Sequence, residues 1–150
     1  MTTHSNNLGL AQADKIAADA LAAARRHGFA PLAVAVLDVR ACLKVFRADD
    51  GTSLLRGDIA MAKARGALGM GMGGRDLARR AEANPAFFNS LNAVSQGGMV
   101  PVRGSVLIRD AQGVLLGAVG ISGDSAEHDE VCAIAGIEAA GLAADAGVSA

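Results

Sequence analysis

The segment 10–24 has the clearest pattern of apolar and polar positions in the chain. Apolar side chains recur there at intervals of three and four residues, which places them on one face of an α-helix. Arg25, Arg26 and His27 follow in the predicted last turn, and Gly28 is expected to end the helix. Most of the apolar residues are alanines, so the predicted face is narrow and allows a packing partner to approach closely.

Further helices are predicted where the same spacing recurs. One spans 59–67, where Lys63 is the one charge on the apolar face of Ile59, Ala60, Ala64 and Ala67. The glycine- and methionine-rich segment 69–74 lacks the Lys-Ser/Thr of a phosphate-binding loop, and we interpret it as a flexible helix exit. Two short helices are expected at 76–83 and 86–94.

Four apolar stretches have the length and composition of strands: 32–38, 42–46, 105–109 and 114–121. Turns at 39–41 and 110–113 are expected to join them as two hairpins. Two hairpins and a separate set of helices indicate an α+β sandwich, in which helices pack on an antiparallel sheet of about five strands.

The segment 113–140 is the one around which the predicted fold is organised. Its strand is almost continuously apolar, which predicts burial on both faces. Gly117, Gly120 and Gly123 interrupt it at intervals of three residues, and glycine inside a strand marks a bulge or a close approach of backbone or ligand. We therefore expect the edge 117–130 to contribute to a binding site.

The last predicted helix begins after a break in the chain at Ser122 and Gly123. Asp124 is expected to be its N-cap, with Glu127 as the reciprocal residue of a capping box. Cys132 is placed in the core. The remaining apolar face is predicted to comprise Val131, Ile134, Ala135 and Leu142.

Composition and charge argue against several classes of function. The 150 residues suit a single domain spanning 1–150, of which 1–8 are expected to be flexible. The net charge is −1 and aromatic residues make up 3%, so neither nucleic acid nor a membrane is an expected partner. Cys42 and Cys132 are too few for a disulfide framework or a zinc motif. Without a recognisable signal peptide or an apolar run near the ~20 residues of a membrane span, the expected location is cytoplasmic.

Several short motifs, taken in order, resemble the GlcG/HbpS-like family, also described as the haem-degrading or corrinoid-adenosyltransferase C-terminal-like domain. The motifs are LAVAVLD ending in Asp38, Asp50-Gly51, the helical residues 59–64, Gly97-Gly98 followed by Pro101, GAVGISG at 117–123, and Asp129-Glu130. The resemblance covers roughly residues 8–143. It implies a small profilin-like sandwich, assembly into a homo-oligomer of at least two subunits, and haem or a related tetrapyrrole as the ligand of some members.

Two positions depart from the family pattern. The family turn after the aspartate is typically Gly-Gly-His, whereas this chain has Arg40, Ala41 and Cys42, so a cysteine occupies the usual histidine position. The arginine usually found two residues before the Asp-Gly pair is replaced by Ala48, and Arg47 precedes it. A haem pocket that depended on that histidine and arginine would be altered in this chain.

Three residues are candidates for catalysis or for iron ligation. Cys42 and His128 are each considered as a haem iron ligand or an acid/base group, against the alternatives of a small apolar side chain and a solvated histidine in a capping turn. Asp38 would serve as a base, or would orient the turn that follows it through backbone N–H groups. All three would be catalytic only if the protein is an enzyme.

A second group of residues is considered for ligand binding. Lys63 would bind a haem propionate or a substrate carboxylate, or would lie at a helix edge with its ammonium group in solvent. Backbone N–H groups near glycines can bind a carboxylate. The complete predicted ligand-binding set is Lys63, Gly97, Gly98, Pro101, Ser122, Gly123 and Asp129.

Three functions remain open from the residues and the resemblance. One is a small-molecule binder for haem or a related tetrapyrrole. Another is a small catabolic lyase, isomerase or hydrolase that acts on a carboxylated substrate. The third is a structural subunit whose alanine- and glycine-rich helices build an oligomer. In the first two, the strand ends are expected to converge on one rim, so that a single pocket contains Cys42, Lys63 and His128, either within a chain or completed by a neighbouring subunit.

Overall fold

The computed structural model describes residues 7–148. The elements are α1 (Leu10–His27), β1 (Ala33–Asp38), β2 (Leu43–Ala48), α2 (Arg56–Met70), α3 (Gly74–Ala83), α4 (Pro85–Val94), β3 (Ser105–Arg109), β4 (Leu115–Ser122), α5 (Ala126–Ala139) and β5 (Ala143–Asp145). This order confirms the predicted α+β class, and none of these helices is long and apolar enough to cross a membrane.

The five strands form one antiparallel sheet in the order β2-β1-β4-β3-β5. Alternate residues of β1 face opposite layers of helices. Val34 and Val36 pack with α1 and α5, whereas Leu37 packs with α2, α3 and α4. The sheet is therefore covered on both faces, which explains why all six residues of β1 are buried.

Small residues let α2 approach the sheet closely. Ala33 and Ala35 of β1 pack against Ala60 of α2. A Cβ atom added at Gly120 of β4 would collide with the Ala60 carbonyl and would lie 2.7 Å from the backbone nitrogen of Ala64. The glycine spacing in the central strand thus marks a close backbone contact, as predicted, and the contacting partner is a helix.

The narrow face of α1 packs inside the chain. Ala17, Ala20 and Ala24 are buried in the core that α1 shares with α5. A Cβ atom at Gly136 of α5 would lie 3.2 Å from the Cβ of Ala20 and would collide with the carbonyl of Ile16. These small residues therefore join two helices of one chain, and they are not available to build an oligomer as the sequence led us to expect.

Two details of α5 differ from the prediction. Ser125, not Asp124, is the N-cap, because its hydroxyl accepts a hydrogen bond from the His128 backbone N–H. Val131, which we placed on the apolar face, has 43% of its surface exposed. The buried apolar face consists of Cys132, Ala133, Gly136 and Ile137.

Two features near the ends of the described chain differ from what the sequence predicted. Leu8 is buried in the core and Asn7 binds the β1–β2 turn, so these two residues of the segment expected to be flexible have defined contacts. The rest of that segment, 1–6, lies outside the described residues. The three-residue strand β5 was not located from the sequence, because it is too short to show an alternating pattern.

The glycine-rich segment 69–74 contains the exit of α2, as predicted, but Gly73 and Gly74 are closely packed and do not fit the flexible exit that we expected. Gly71 ends α2 in the left-handed conformation, with φ of 69°. Gly74 begins α3 and is buried, since a Cβ atom there would lie 2.6 Å from the carbonyl oxygen of Val102. Gly73 is packed equally closely against the backbone of Ala146. At least these two glycines are required by close packing.

Candidate functional site

A cavity lies where the C-terminal half of α2 meets α4 and the loop that follows α4. Its volume is about 340 Å³, near the lower end of the ~300–1,000 Å³ typical of ligand pockets. The cavity is lined by Ala41, Arg65, Gly66, Gly69, Met70, Leu91, Val94, Ser95, Gly98 and Met99. Most of these side chains are apolar, so this cavity is suited to an apolar ligand.

Two glycines of α2 shape this cavity. A Cβ atom at Gly66 would lie 2.7 Å from Cγ of Met99, so the absence of a side chain lets Met99 pack against the helix. A Cβ atom at Gly69 would meet no atom within 4 Å. Gly69 therefore leaves space that a larger residue would fill.

Two polar residues, Arg65 and Ser95, occur in the apolar lining. Arg65 lies on an exposed position of α2 and brings a guanidinium group to the cavity. The Ser95 hydroxyl is buried and has no hydrogen-bond partner among residues 7–148. A buried polar group without a partner is costly, but the oxygen is closed off from solvent and does not present a polar surface to the cavity.

Asp38 organises the turn between β1 and β2. Its Oδ1 accepts hydrogen bonds from the backbone N–H groups of Arg40 and Cys42, at 2.9 and 3.1 Å, and its Oδ2 accepts one from Asn7 Nδ2 at 3.2 Å. Burial alone would raise the pKa of Asp38, but these hydrogen bonds outweigh it and lower the pKa. Of the two roles considered for Asp38, these contacts support that of orienting the turn.

The two cysteines occupy different environments. Cys42 is exposed and immediately follows Ala41, a residue of the cavity wall. Cys132 is buried, and its burial raises the pKa of the thiol to about 11, which keeps it protonated and inert. Only Cys42 remains a candidate for ligand contact.

Lys63 lies away from the cavity, in a buried contact between α2 and α5. Its Nζ donates to the carbonyl oxygen of Ile121 at 2.8 Å and to Asp129 Oδ2 at 3.1 Å. Asp129 in turn accepts a hydrogen bond from the Asp124 backbone N–H at 3.0 Å. Neither role considered for Lys63 matches this arrangement, because the ammonium group is neither in solvent nor on a cavity wall.

His128 lies on the surface at the start of α5. Its Nδ1 is 2.7 Å from Asp124 Oδ1, and its ring stacks on Phe29 with a centroid distance of 3.9 Å. His27 stacks on Phe29 as well, at 4.9 Å. The imidazole therefore belongs to an exposed aromatic stack. Within residues 7–148, no group of three His, Cys, Asp or Glu side chains is placed to bind a metal ion.

The remaining predicted ligand-binding residues are dispersed. Gly98 lines the cavity, and Gly97 lies beside it in a left-handed conformation with φ of 73°. Ser122 is buried and binds Arg56 Nη1 through its hydroxyl at 3.1 Å. Gly123 packs against the backbone of 31–32. Pro101 is half-buried in the segment that leads to β3.

The expected convergence on one rim does not occur within the chain. Since β1 and β4 are antiparallel, Asp38 pairs with Gly117, whereas Ser122 pairs with Ala33. These pairs are five residues apart, or about 17 Å at ~3.3 Å per residue. Cys42 follows the Asp38 end of β1, and Asp129 and His128 follow the Ser122 end of β4, so the prediction of one pocket was wrong for a single chain.

Of the ten residues that line the cavity, only Gly98 is in the predicted ligand-binding set, because the sequence signals of the others are weak. Arg65 is one of several surface charges on α2, and Leu91 and Ser95 occur in a short helix and its exit. The only available signal was that Gly97 and Gly98 had already directed attention to this loop. The cavity itself depends on packing between elements that are distant in sequence.

Three solved structures have the same fold as this chain. PduOC, solved as a complex with heme, is 24% identical in sequence, and the match covers 91% of this chain and 96% of the PduOC chain, with a TM-score of 0.81. Klebsiella pneumoniae protein ORFY is 20% identical in sequence, and the match covers 94% of this chain and 97% of ORFY, with a TM-score of 0.80. A double mutant of Streptomyces reticuli HbpS is 29% identical in sequence, and the match covers 91% of this chain and 89% of HbpS, with a TM-score of 0.77.

Among curated proteins, no sequence matches this chain. A family model, in contrast, matches most of its length. The model is described as haem degrading protein HbpS-like and matches residues 8–138 of the 150, so the chain belongs to the HbpS-like family.

Proposed function

We propose that this protein binds a small molecule, haem or a related tetrapyrrole, in the cavity between α2 and α4. The observation that carries the proposal is the apolar cavity of about 340 Å³ with Arg65 on its wall. The family description and the heme complex of the PduOC relative support this class of ligand. The proposal concerns binding and does not assign a reaction.

The lining of the cavity fits part of such a ligand. Haem supplies a flat apolar macrocycle, two carboxylates and a redox-active iron centre. Leu91 and Met99 provide apolar surface for a macrocycle, and Arg65 provides a guanidinium group for a carboxylate. Because the cavity is small, we expect a tetrapyrrole to be partly enclosed, with one edge in solvent.

The residues near the cavity limit the choice of iron ligand. Met70 and Met99 bring thioethers to its wall, and thioether sulfur is a known haem iron ligand. Cys42 follows the wall residue Ala41 and remains the candidate from the sequence. His128, the other candidate, lies at the opposite end of the β1–β4 pair and would reach this cavity only from a second copy of the chain.

Titration of the purified protein with hemin, followed by absorbance, tests the proposal. We expect a sharp, shifted Soret band that saturates at one equivalent. Gly69→Phe places a ring in the open part of the cavity and should abolish saturation. Ala139→Phe adds the same ring at an exposed position of α5 and serves as the matched control.

Two further variants locate the polar contacts. Arg65→Gln should raise the dissociation constant by about tenfold, the effect of losing one charge-assisted hydrogen bond. Cys42→Ser should shift the Soret band only if the thiolate binds iron. A broad, non-saturating change in the parent protein, or equal saturation in the parent and Gly69→Phe, would contradict binding in this cavity.

The structure offers no corresponding support for acid/base catalysis by the predicted residues. Asp38 is held by the turn that it orients, and His128 follows the Ser122 end of β4, which is about 17 Å from Asp38 along the strand pair. General acid/base groups must lie within hydrogen-bond reach of one substrate. We therefore do not propose the enzymatic alternative for a single chain.

A further inference from the structure

A second cavity has a wall of arginines. It lies between α3 and the segment before β3, has a volume of about 250 Å³, and shares no lining residue with the cavity between α2 and α4. It is lined by Arg75, Ala78, Arg79, Glu82, Arg103 and Val148. Three guanidinium groups on one small cavity suggest an anionic ligand.

A buried carboxylate positions two of these arginines. Glu130 of α5 has a side chain that is only 2% exposed. It accepts hydrogen bonds from Arg75 Nε at 2.8 Å, and from Arg103 Nε and Nη2 at 3.0 and 3.1 Å. Burial alone would raise the pKa of Glu130, but the hydrogen bonds from Arg103 and Arg75 outweigh it and lower the pKa. Glu130 therefore remains charged at neutral pH and holds both guanidinium groups side by side.

Other carboxylates limit the positive charge at the cavity. Arg79 Nη2 lies 2.7 Å from Asp76 Oδ1, on the same helix. Arg103 Nη1 lies 3.9 Å from Glu127 Oε1, which is too long for a hydrogen bond. Glu82 is a wall residue and would repel an anion. Affinity must therefore come mainly from the fixed geometry of the guanidinium groups, and Glu82 should weaken it.

We propose that this cavity binds a small oxyanion, either a carboxylate or a phosphate, through Arg79 and Arg103 beside Arg75. Arg103 donates Nε and Nη2 to Glu130, and Arg79 donates Nη2 to Asp76, so the Nη1 group of each arginine is the donor proposed for either oxyanion. Ala78 and Val148 add apolar surface that accommodates a short carbon skeleton attached to the anion. This site is independent of the proposed binding of haem.

The test uses surface variants that leave the Glu130 contacts intact. The probes are inorganic phosphate and succinate, titrated separately at constant ionic strength and followed by calorimetry. Arg79→Gln should raise the dissociation constant by about three- to tenfold, while Glu82→Gln should lower it, because it removes the repelling carboxylate. Arg80→Gln is the matched control, since Arg80 is exposed on the same helix and does not line the cavity.

The outcomes separate the proposal from general charge effects. Saturable binding that Arg79→Gln weakens and Arg80→Gln leaves unchanged supports it, and the probe that saturates identifies phosphate or carboxylate as the ligand group. Non-saturable heats for both probes, or equal losses in Arg79→Gln and Arg80→Gln, would overturn it. A Glu82→Gln variant with unchanged affinity would also overturn it. Hemin titration of Arg79→Gln should match that of the parent, which keeps this test distinct from that of the first cavity.

Discussion

Lys63 and Asp129 form a buried ion pair that joins α2 to α5 at the end of β4. Their side chains are 4% and 2% exposed, and Nζ lies 3.1 Å from Oδ2. Burial lowers the pKa of Lys63 and raises that of Asp129, and each charge partly offsets the shift of the other. A lysine that the sequence suggests as a ligand-binding cation is therefore part of the framework.

Lys63→Met should destabilise the fold by about 3–5 kcal/mol, because it leaves the Asp129 carboxylate buried without a partner. Urea denaturation measures the change. Lys15→Met is the matched control and should cost less than about 1 kcal/mol, since Lys15 forms an exposed pair with Asp19. Replacing both members of the pair, as in Lys63→Met with Asp129→Leu, should cost less than Lys63→Met alone. Equal losses in Lys63→Met and Lys15→Met would refute this account.

Gly120→Val should lower the thermal midpoint strongly. The added side chain would collide with the backbone of α2 at Ala60 and Ala64, and a helix backbone cannot move aside as a flexible side chain can. Overpacking typically costs about 1–3 kcal/mol, and we expect the upper end or more. Gly69→Ala is the control, because it points into open space and should be neutral or stabilising. A midpoint equal to that of the parent would contradict the close contact.

The ionised carboxylate of Glu130 should stabilise the fold, and protonation in acid should remove that stabilisation. Its pKa in the folded state is lowered from the ordinary value of 4.5, so the unfolded chain binds its proton more readily. The stabilisation is present above that value and is lost as the pH falls through the folded pKa.

The comparison with Glu130→Gln isolates this contribution to the free energy of unfolding. Asp38, Asp49 and Asp124 also have lowered pKa values, and their contributions remain in both proteins. Between about pH 5 and about pH 3, urea denaturation should show a smaller loss of free energy for Glu130→Gln than for the parent. Parallel pH profiles would show that Glu130 does not contribute.

We expect the protein to form at least a dimer, through the edge strand β2 and the turn before α2. This surface exposes Leu43 and Phe46 on β2, and Leu54, which is 93% exposed, before α2. Leu43→Lys and Leu54→Lys should therefore shift the sedimentation coefficient toward that of a monomer. Val131→Lys, a change at an exposed position of α5, should have no effect. A parent protein that sediments at 15.0 kDa at micromolar concentration would rule out the dimer.

The small residues show what a local sequence pattern predicts about packing and what it leaves open. The alanines of α1 and the glycines of α5 and β4 correctly predict close contacts, because a missing side chain lets a neighbour approach from any direction. The pattern does not identify that neighbour. Ala20 meets Gly136 of the same chain, and Gly120 meets α2. The sequence therefore supports the contact, whereas the choice between an internal and an intermolecular partner requires the fold.

Local sequence patterns suffice to predict the order and type of most elements, because periodicity, capping and turn chemistry act over a few residues. It located α1 and its end at Gly28, both hairpins and the buried strand β1. The grouping of the candidate residues, in contrast, follows from the way the elements pack in the folded chain. The antiparallel register of β1 and β4 places Asp38 and Ser122 at opposite ends, and the packing of α2 against α4 creates the larger cavity. Such relationships depend on contacts between residues far apart in the chain, and no local pattern encodes them.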